Sequence, residues 1–240
     1  MRRIHITPIL LKPSAVARAL AAFAFLVVLV STVGQLIKFL TGHDELMGLL
    51  SLTFVDDENN IPTLFSVLLL ALAALCVALV AVLAKKHGAP DVWRWALLSA
   101  GFLYLAFDDG LSLHERLRVP IRALLGISSF STSYSYWILR GLAVVLFLIA
   151  VFGKFLRRLP AKTRYTFLLA ALLYLGGAVG FDLIGMAYSR VHGGNLMYSM
   201  IATVEESLEM AGVILFIYAI LAYIAETYQE VRLRVSDTPV

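Results

Sequence analysis

Six apolar runs, each about as long as a membrane is thick, leave this chain one class of fold. They cover about residues 15–39, 62–84, 93–114, 135–156, 165–189 and 197–224. A helix needs about 20 residues to cross the ~30 Å hydrocarbon layer. Within that layer the backbone must satisfy its own polar groups, which a helix does within a single segment. The composition agrees, with 60% hydrophobic and 15% charged residues against roughly 45–50% and about 25% in soluble domains. The expectation is all-α: a polytopic transmembrane helical bundle of about six spans, forming a single membrane domain over 1–240, because no connection is long enough for a second domain. The first run, Ala15 to Leu40, exceeds the ~7–15 apolar residues of a signal peptide and is read as a span.

Basic residues set the orientation. With the N-terminus inside, fourteen of the 20 Lys and Arg fall on the inner side, from Arg2, Arg3, Lys12 and Arg18 through Lys85, Lys86 and Arg94 to Arg157, Arg158, Lys162 and Arg164. That is the positive-inside pattern, and it predicts N-in/C-in topology in the cytoplasmic membrane. Trp93, Trp95 and Tyr165 fall at predicted inner boundaries, and Tyr134, Tyr136, Trp137 and Tyr198 at outer ones, as aromatic belts require. The net charge of +4 reflects these topology signals, and nucleic acid is not expected as a partner. The expected partners are the lipid bilayer and a lipid or small-molecule substrate. Cys76 is the single cysteine, so no intrachain disulfide and no thiolate metal site can form; it is read as a small core hydrophobe.

Carboxylates inside these runs are the unusual feature. At membrane depth each costs about 2.5–3.5 kcal/mol on insertion scales, so it persists where protein, water, a counter-charge or a metal compensates it. The third run ends Phe107-Asp108-Asp109-Gly110-Leu111-Ser112-Leu113-His114-Glu115, the fifth contains Asp182, and the sixth contains Glu205-Glu206-Ser207-Leu208-Glu209. At about 100° per residue, Gly101, Tyr104, Asp108, Ser112 and Glu115 share one face with Asp109 at its flank. His114 joins Asp108 only if the helix ends near Gly110. Glu205 and Glu209 are i,i+4 with Glu206 beside them, and Ala178, Asp182, Gly185 and Ser189 form a small-residue face suited to close packing. Three spans thus offer acid to a common interior, in the outer half of the bundle. The stretch Asp56-Asp57-Glu58-Asn59-Asn60 is expected over its outer mouth, either as a solvated loop or with Asp56, Glu58 and Asn60 as further oxygen ligands. Tyr104, Tyr174 and Tyr188 are candidate hydroxyls, although tyrosines in a bundle are more often core or interfacial residues.

Carboxylates with a histidine and no thiolate suit a hard or borderline divalent cation: Zn, Fe, Mn or Ca. The candidate ligands are Asp108, Asp109, His114, Glu115, Asp182, Glu205, Glu206 and Glu209. Such an ion would balance acids that otherwise repel one another, and can activate water against a membrane substrate. Standard hydrolase and di-iron signatures are missing, which weakens the enzyme reading and leaves the question open. A second reading makes the acids carriers of a proton or cation in a coupled transporter. A third has Arg118, Arg140 or Arg190 neutralise them in a structural or accessory subunit.

The pattern Asp56-x-Glu58-x-Asn60-x-Pro62, then Tyr104-Leu105 and Asp109 ahead of His114-Glu115, then Glu205-Glu206-x-x-Glu209-x-x-Gly212 resembles a family of uncharacterised bacterial multi-pass membrane proteins, some labelled multidrug transporter. Asp108-Asp109 stands where that pattern expects Asp-Glu, which shortens the second carboxylate by one methylene. The resemblance implies a multi-pass bundle and brings no established activity.

Overall fold

The computed structural model describes residues 11–41, 51–54, 60–112, 116 and 130–228. Among them the chain is helical without strands. The long helices are α1 (Pro13–Thr41), α2 (Ile61–Lys86), α3 (Val92–Leu111), α4 (Phe130–Arg158), α5 (Ala161–Leu175), α6 (Asp182–His192) and α7 (Leu196–Tyr228). A π-helical turn, Gly176–Phe181, joins α5 to α6 without interrupting the rod. Four helical stretches are long and apolar enough to cross a membrane: Pro13–Thr41, Ile61–Lys86, Ala161–His192 and Leu196–Tyr228. Helix α3 carries Arg94, Asp108 and Asp109, and α4 carries Arg140, Lys154, Arg157 and Arg158.

Helix α7 is the central element and packs on α1, α2, α5, α6 and the π turn, while α3 lies along α2. The core is built from small and β-branched residues of α2 (Ala73, Val77, Val80) interlocked with Val213, Ile217 and Ile220 of α7. Such residues let helices approach closely, which matters where lipid removes most of the hydrophobic advantage of helix on helix. Toward the end carrying Asp91, aromatic rings tie four helices together. The Trp95 ring meets Phe155 edge-on at 4.7 Å and lies 5.3 Å from Tyr223, and the Phe216 ring lies tilted at 4.5 Å from Phe102 and 4.7 Å from Phe167. Buried Asp91 pairs there with Arg94 and, at 3.1 Å, with Arg158, while Lys162 reaches Glu226 at 2.8 Å. The starts of α3 and α5 and the ends of α4 and α7 therefore share one end of the bundle. The outer faces are strongly apolar, with Phe25, Leu75 and Leu172 each 68% exposed, a surface suited to lipid contact.

Two boundaries differ from those expected. Helix α3 stops at Leu111 rather than continuing to 114, because Ser112 adopts a left-handed conformation (φ 51°) and its N–H caps the Asp108 carbonyl. The fifth run begins earlier, after Pro160 at Ala161, and contains the π turn, in which one extra residue is accommodated inside the helix.

Candidate functional site

The acids of three helices meet where glycine removes the space between backbones. On the π turn, Gly177 is buried, and a Cβ added there would lie 2.7 Å from the Glu205 carbonyl oxygen and 2.9 Å from Glu209 Cγ. From the facing side, a Cβ on Gly212 would lie 2.7 Å from the Tyr174 amide nitrogen and 2.8 Å from the Ala170 carbonyl oxygen. Backbone therefore touches backbone along α5, the π turn and α7, as small residues permit in membrane helices. The next acid after the turn, Asp182, is brought to the same stretch of α7. Gly185 continues the contact one turn on, its α-carbon facing Ile201 and Tyr198.

Glu209 stands within electrostatic reach of Glu206, Glu205, Asp109 and Asp182, and Glu205 within reach of Asp182. Tyr174, one helical turn before the π turn, lies within reach of Glu209, Asp109, Glu206 and Asp108. Each of these side chains is partly buried, and Oδ1 of Asp108 and Oδ2 of Asp109 are buried oxygens. The structure thus gathers Asp109, Asp182, Glu205, Glu206 and Glu209, with Asp108 and Tyr174 beside them. Among the described residues, no three His, Cys, Asp or Glu side chains lie close enough to hold one metal ion.

Helix α3 is rotated relative to expectation. Buried Trp95 and Ala106 and partly buried Phe102 define its packed face, and Asp109, three residues after Ala106, falls on that side. Gly101 and Tyr104 look outward, Tyr104 being 57% exposed. Asp109, expected at the flank, is therefore the acid nearer Glu209, and Asp108 sits at the edge. Because the helix ends at Leu111, Ser112 does not continue the Asp108 face. His114 and Glu115 lie outside the described residues, as do Asp56, Asp57 and Glu58.

Asn60 is described, and its amide acts as a helix cap. Its Oδ1 accepts from the Thr63 amide at 2.9 Å and from the Thr63 hydroxyl at 3.0 Å, while its Nδ2 donates to the Phe54 carbonyl. With Pro62 in the first turn, Asn60-Ile61-Pro62-Thr63 is a helix start. Tyr188 stacks on His192 at 4.5 Å and its hydroxyl accepts from Asn195 at 3.2 Å, a contact at the α6–α7 turn.

A buried polar seam, absent from the expectations above, lies between α1 and α7. Ser31 and Gln35 are 0% and 1% exposed. The Thr203 hydroxyl donates its one hydrogen mainly to the Ser199 carbonyl at 2.7 Å and shares it with Gln35 Oε1 at 3.3 Å, while Gln35 Nε2 donates to the Ser31 hydroxyl at 3.3 Å. Ser207 donates to the Thr203 carbonyl at 2.6 Å. The seam orients the turn of α7 that carries the acids. Its signal was the i,i+4 recurrence of Ser31 with Gln35 and of Ser199, Thr203 and Ser207.

A family model described as Domain of unknown function (DUF8692) matches residues 19–224. No curated protein and no solved structure matches the chain.

Proposed function

Since the chain belongs to the family described as Domain of unknown function (DUF8692), which brings no activity with it, we propose a function from the interior acids: this is a membrane protein that takes up a proton, or a cation held by two carboxylates at a time, among Asp109, Asp182, Glu205, Glu206 and Glu209 and couples it to transport. One observation carries the proposal. The acids of α7 face a glycine-built π turn, with Gly177 against the Glu205 and Glu209 backbone and Asp182 directly after it. A π turn is rare inside an α-helix and recurs at functional sites. Broken or irregular helices beside intramembrane carboxylates are the usual means of ion coupling in transporters. Cation binding would change the repulsion between Asp182 and Glu205, and the turn offers a hinge through which α6 can respond.

In this proposal the chain crosses the inner membrane six times with both termini cytoplasmic. The fourteen basic residues on the inner side support that orientation. The ion pairs of Asp91 with Arg158 and of Lys162 with Glu226 support it as well, since they gather at one end the four termini that the topology assigns to one side. The acids then lie between the midplane and the outer boundary.

Proteoliposomes test the transport reading directly. Wild type is expected to carry a proton or Mn²⁺ flux under an imposed gradient, and Glu206→Gln to lose it; unaltered flux in the variant counts against the proposal. A second reading, a divalent metal site acting on a membrane substrate, is favoured by the buried oxygens of Asp108 and Asp109, which precede His114-Glu115 in sequence. It predicts near-stoichiometric metal in purified protein that falls in Glu209→Gln and Asp108→Asn. Protein that neither retains nor takes up metal excludes it.

A further inference from the structure

A groove of about 460 Å³ runs between α1 and α7, on the side of α7 away from Glu205 and Glu209. Its volume falls in the range of about 300–1,000 Å³ typical of small-ligand sites. Alanines make it: Ala17, Ala21 and Ala24 on α1 and Ala211 on α7 leave a furrow floored by Met210 and Ile214. It extends from Ala17 to Val28 on one helix and from Ser207 to Tyr218 on the other. Eleven rises of ~1.5 Å give a length of about 16 Å, roughly half of the ~30 Å hydrocarbon layer and so the depth of one leaflet.

The two ends differ in chemistry. At the end nearer the N-terminus stand Arg18 and the Tyr218 ring, with exposed Lys12 at the start of α1. The Arg18 Nε donates to the Ser14 carbonyl at 3.2 Å, which fixes the guanidinium at the mouth. Its four Nη hydrogens remain for an anion, in the fork geometry that suits a phosphate. A lipid-facing groove one leaflet deep, apolar along its length and cationic at its headgroup end, matches an amphiphile with a negative head.

We propose that this groove binds an anionic phospholipid from the leaflet on the N-terminal side, one acyl chain lying between α1 and α7 and the phosphate on Arg18. The site is separate from the acid cluster and stands whether or not that cluster moves a cation. Arg18 supplies the headgroup preference, and the alanines supply room for the chain.

Native mass spectrometry of the purified protein, titrated separately with phosphatidylglycerol and phosphatidylcholine of equal chain length, tests the proposal. Both lipids offer a phosphate to Arg18, but the choline cation of phosphatidylcholine repels the guanidinium and offsets the phosphate's charge, so phosphatidylglycerol is expected to bind about tenfold more tightly. Arg18→Gln should remove that preference while leaving phosphatidylcholine binding in place. Ala21→Phe should fill the groove and weaken both lipids, and thermal unfolding of both variants without added lipid serves as the folding control. Equal affinity for the two lipids in the wild type overturns the proposal. So does a preference that survives Arg18→Gln in a folded variant. Dimerisation of the wild type that Ala21→Phe abolishes also overturns it, because a second copy of the chain would then cover the groove.

Discussion

Replacing Gly177 with alanine adds one methyl group at the tightest point between the π turn and α7. That carbon would stand 2.7 Å from the Glu205 carbonyl oxygen, 2.9 Å from Glu209 Cγ and 3.3 Å from the Glu209 amide nitrogen. A relaxed carbon–oxygen contact is about 3.3–3.6 Å, so the helices must separate by roughly 0.6–0.9 Å. Two of the three obstructing atoms are backbone and cannot rotate aside. Overpacking of this kind costs about 1–3 kcal/mol, and a gap of that size forfeits roughly a quarter to a half of the attraction between the facing atoms. For a chain of this length the expected fall in Tm is roughly 2–12 °C. The adjacent Gly176 provides the control, since a Cβ there meets nothing within 4 Å. Gly176→Ala should be neutral or stabilising by up to about 1 kcal/mol. Thermal unfolding in one detergent compares the two substitutions directly. If Gly177→Ala unfolds at the same temperature as Gly176→Ala, the close approach of α7 to the π turn is refuted.

Other perturbations follow from the same contacts. Gly212→Ala should also destabilise, with Cβ 2.7 Å from the Tyr174 nitrogen, and the Gly177→Ala/Gly212→Ala double variant should lose less than the sum because both part the same helices; a double-mutant cycle by thermal unfolding checks it. Across the polar seam, Gln35→Ala and Thr203→Val should couple by about 0.6 kcal/mol, the average found for interhelical hydrogen bonds in a membrane protein, and full additivity in such a cycle would refute the 3.3 Å contact between them. At the other end, Asp91→Asn should cost more than Arg158→Gln, because Asp91 serves two arginines and its side chain is 11% exposed against 58% for Arg158. An exposed single pair is worth about 0–1 kcal/mol, so equal Tm losses in the two variants would contradict that asymmetry.

The helical class was legible in the sequence because hydrocarbon admits few alternatives: each expected run lies within or overlaps a helix, and four stretches reach spanning length and hydropathy. Close packing on the fifth run was legible in part, through Gly185 of the expected small-residue face, whereas the tightest contact is made by Gly177, and a Cβ on Gly176 or Gly180 would meet nothing within 4 Å. The π turn was not, since glycine signals a permissive backbone without specifying which hydrogen bonds it makes. The end of α3 escaped for a similar reason. Gly110 is the residue whose chemistry advertises a stop, yet Ser112 takes the left-handed conformation, and with it went the face shared by Asp108 and Ser112. Asn60 shows the reverse case: its capping pattern with Pro62 and Thr63 was present in the sequence, but proximity to acids drew attention to it as a ligand. The seam of Ser31, Gln35 and Thr203 was missed because single polar residues on apolar helices acquire meaning only when a partner faces them across the bundle.

On the proposed function, Asp109, Asp182, Glu205, Glu206 and Glu209 act together, taking up protons or a cation held by two carboxylates at a time. Calorimetric titration of the purified wild type with Mn²⁺, Ca²⁺ and Zn²⁺, in buffers of different ionisation enthalpy, measures cation binding and the protons exchanged for it together. The account predicts saturable binding of at least one cation with proton release, both lost in folded Glu209→Gln. A wild type that binds none of the three and exchanges no protons between pH 5 and 9, or a Glu209→Gln variant that binds unchanged, would contradict it.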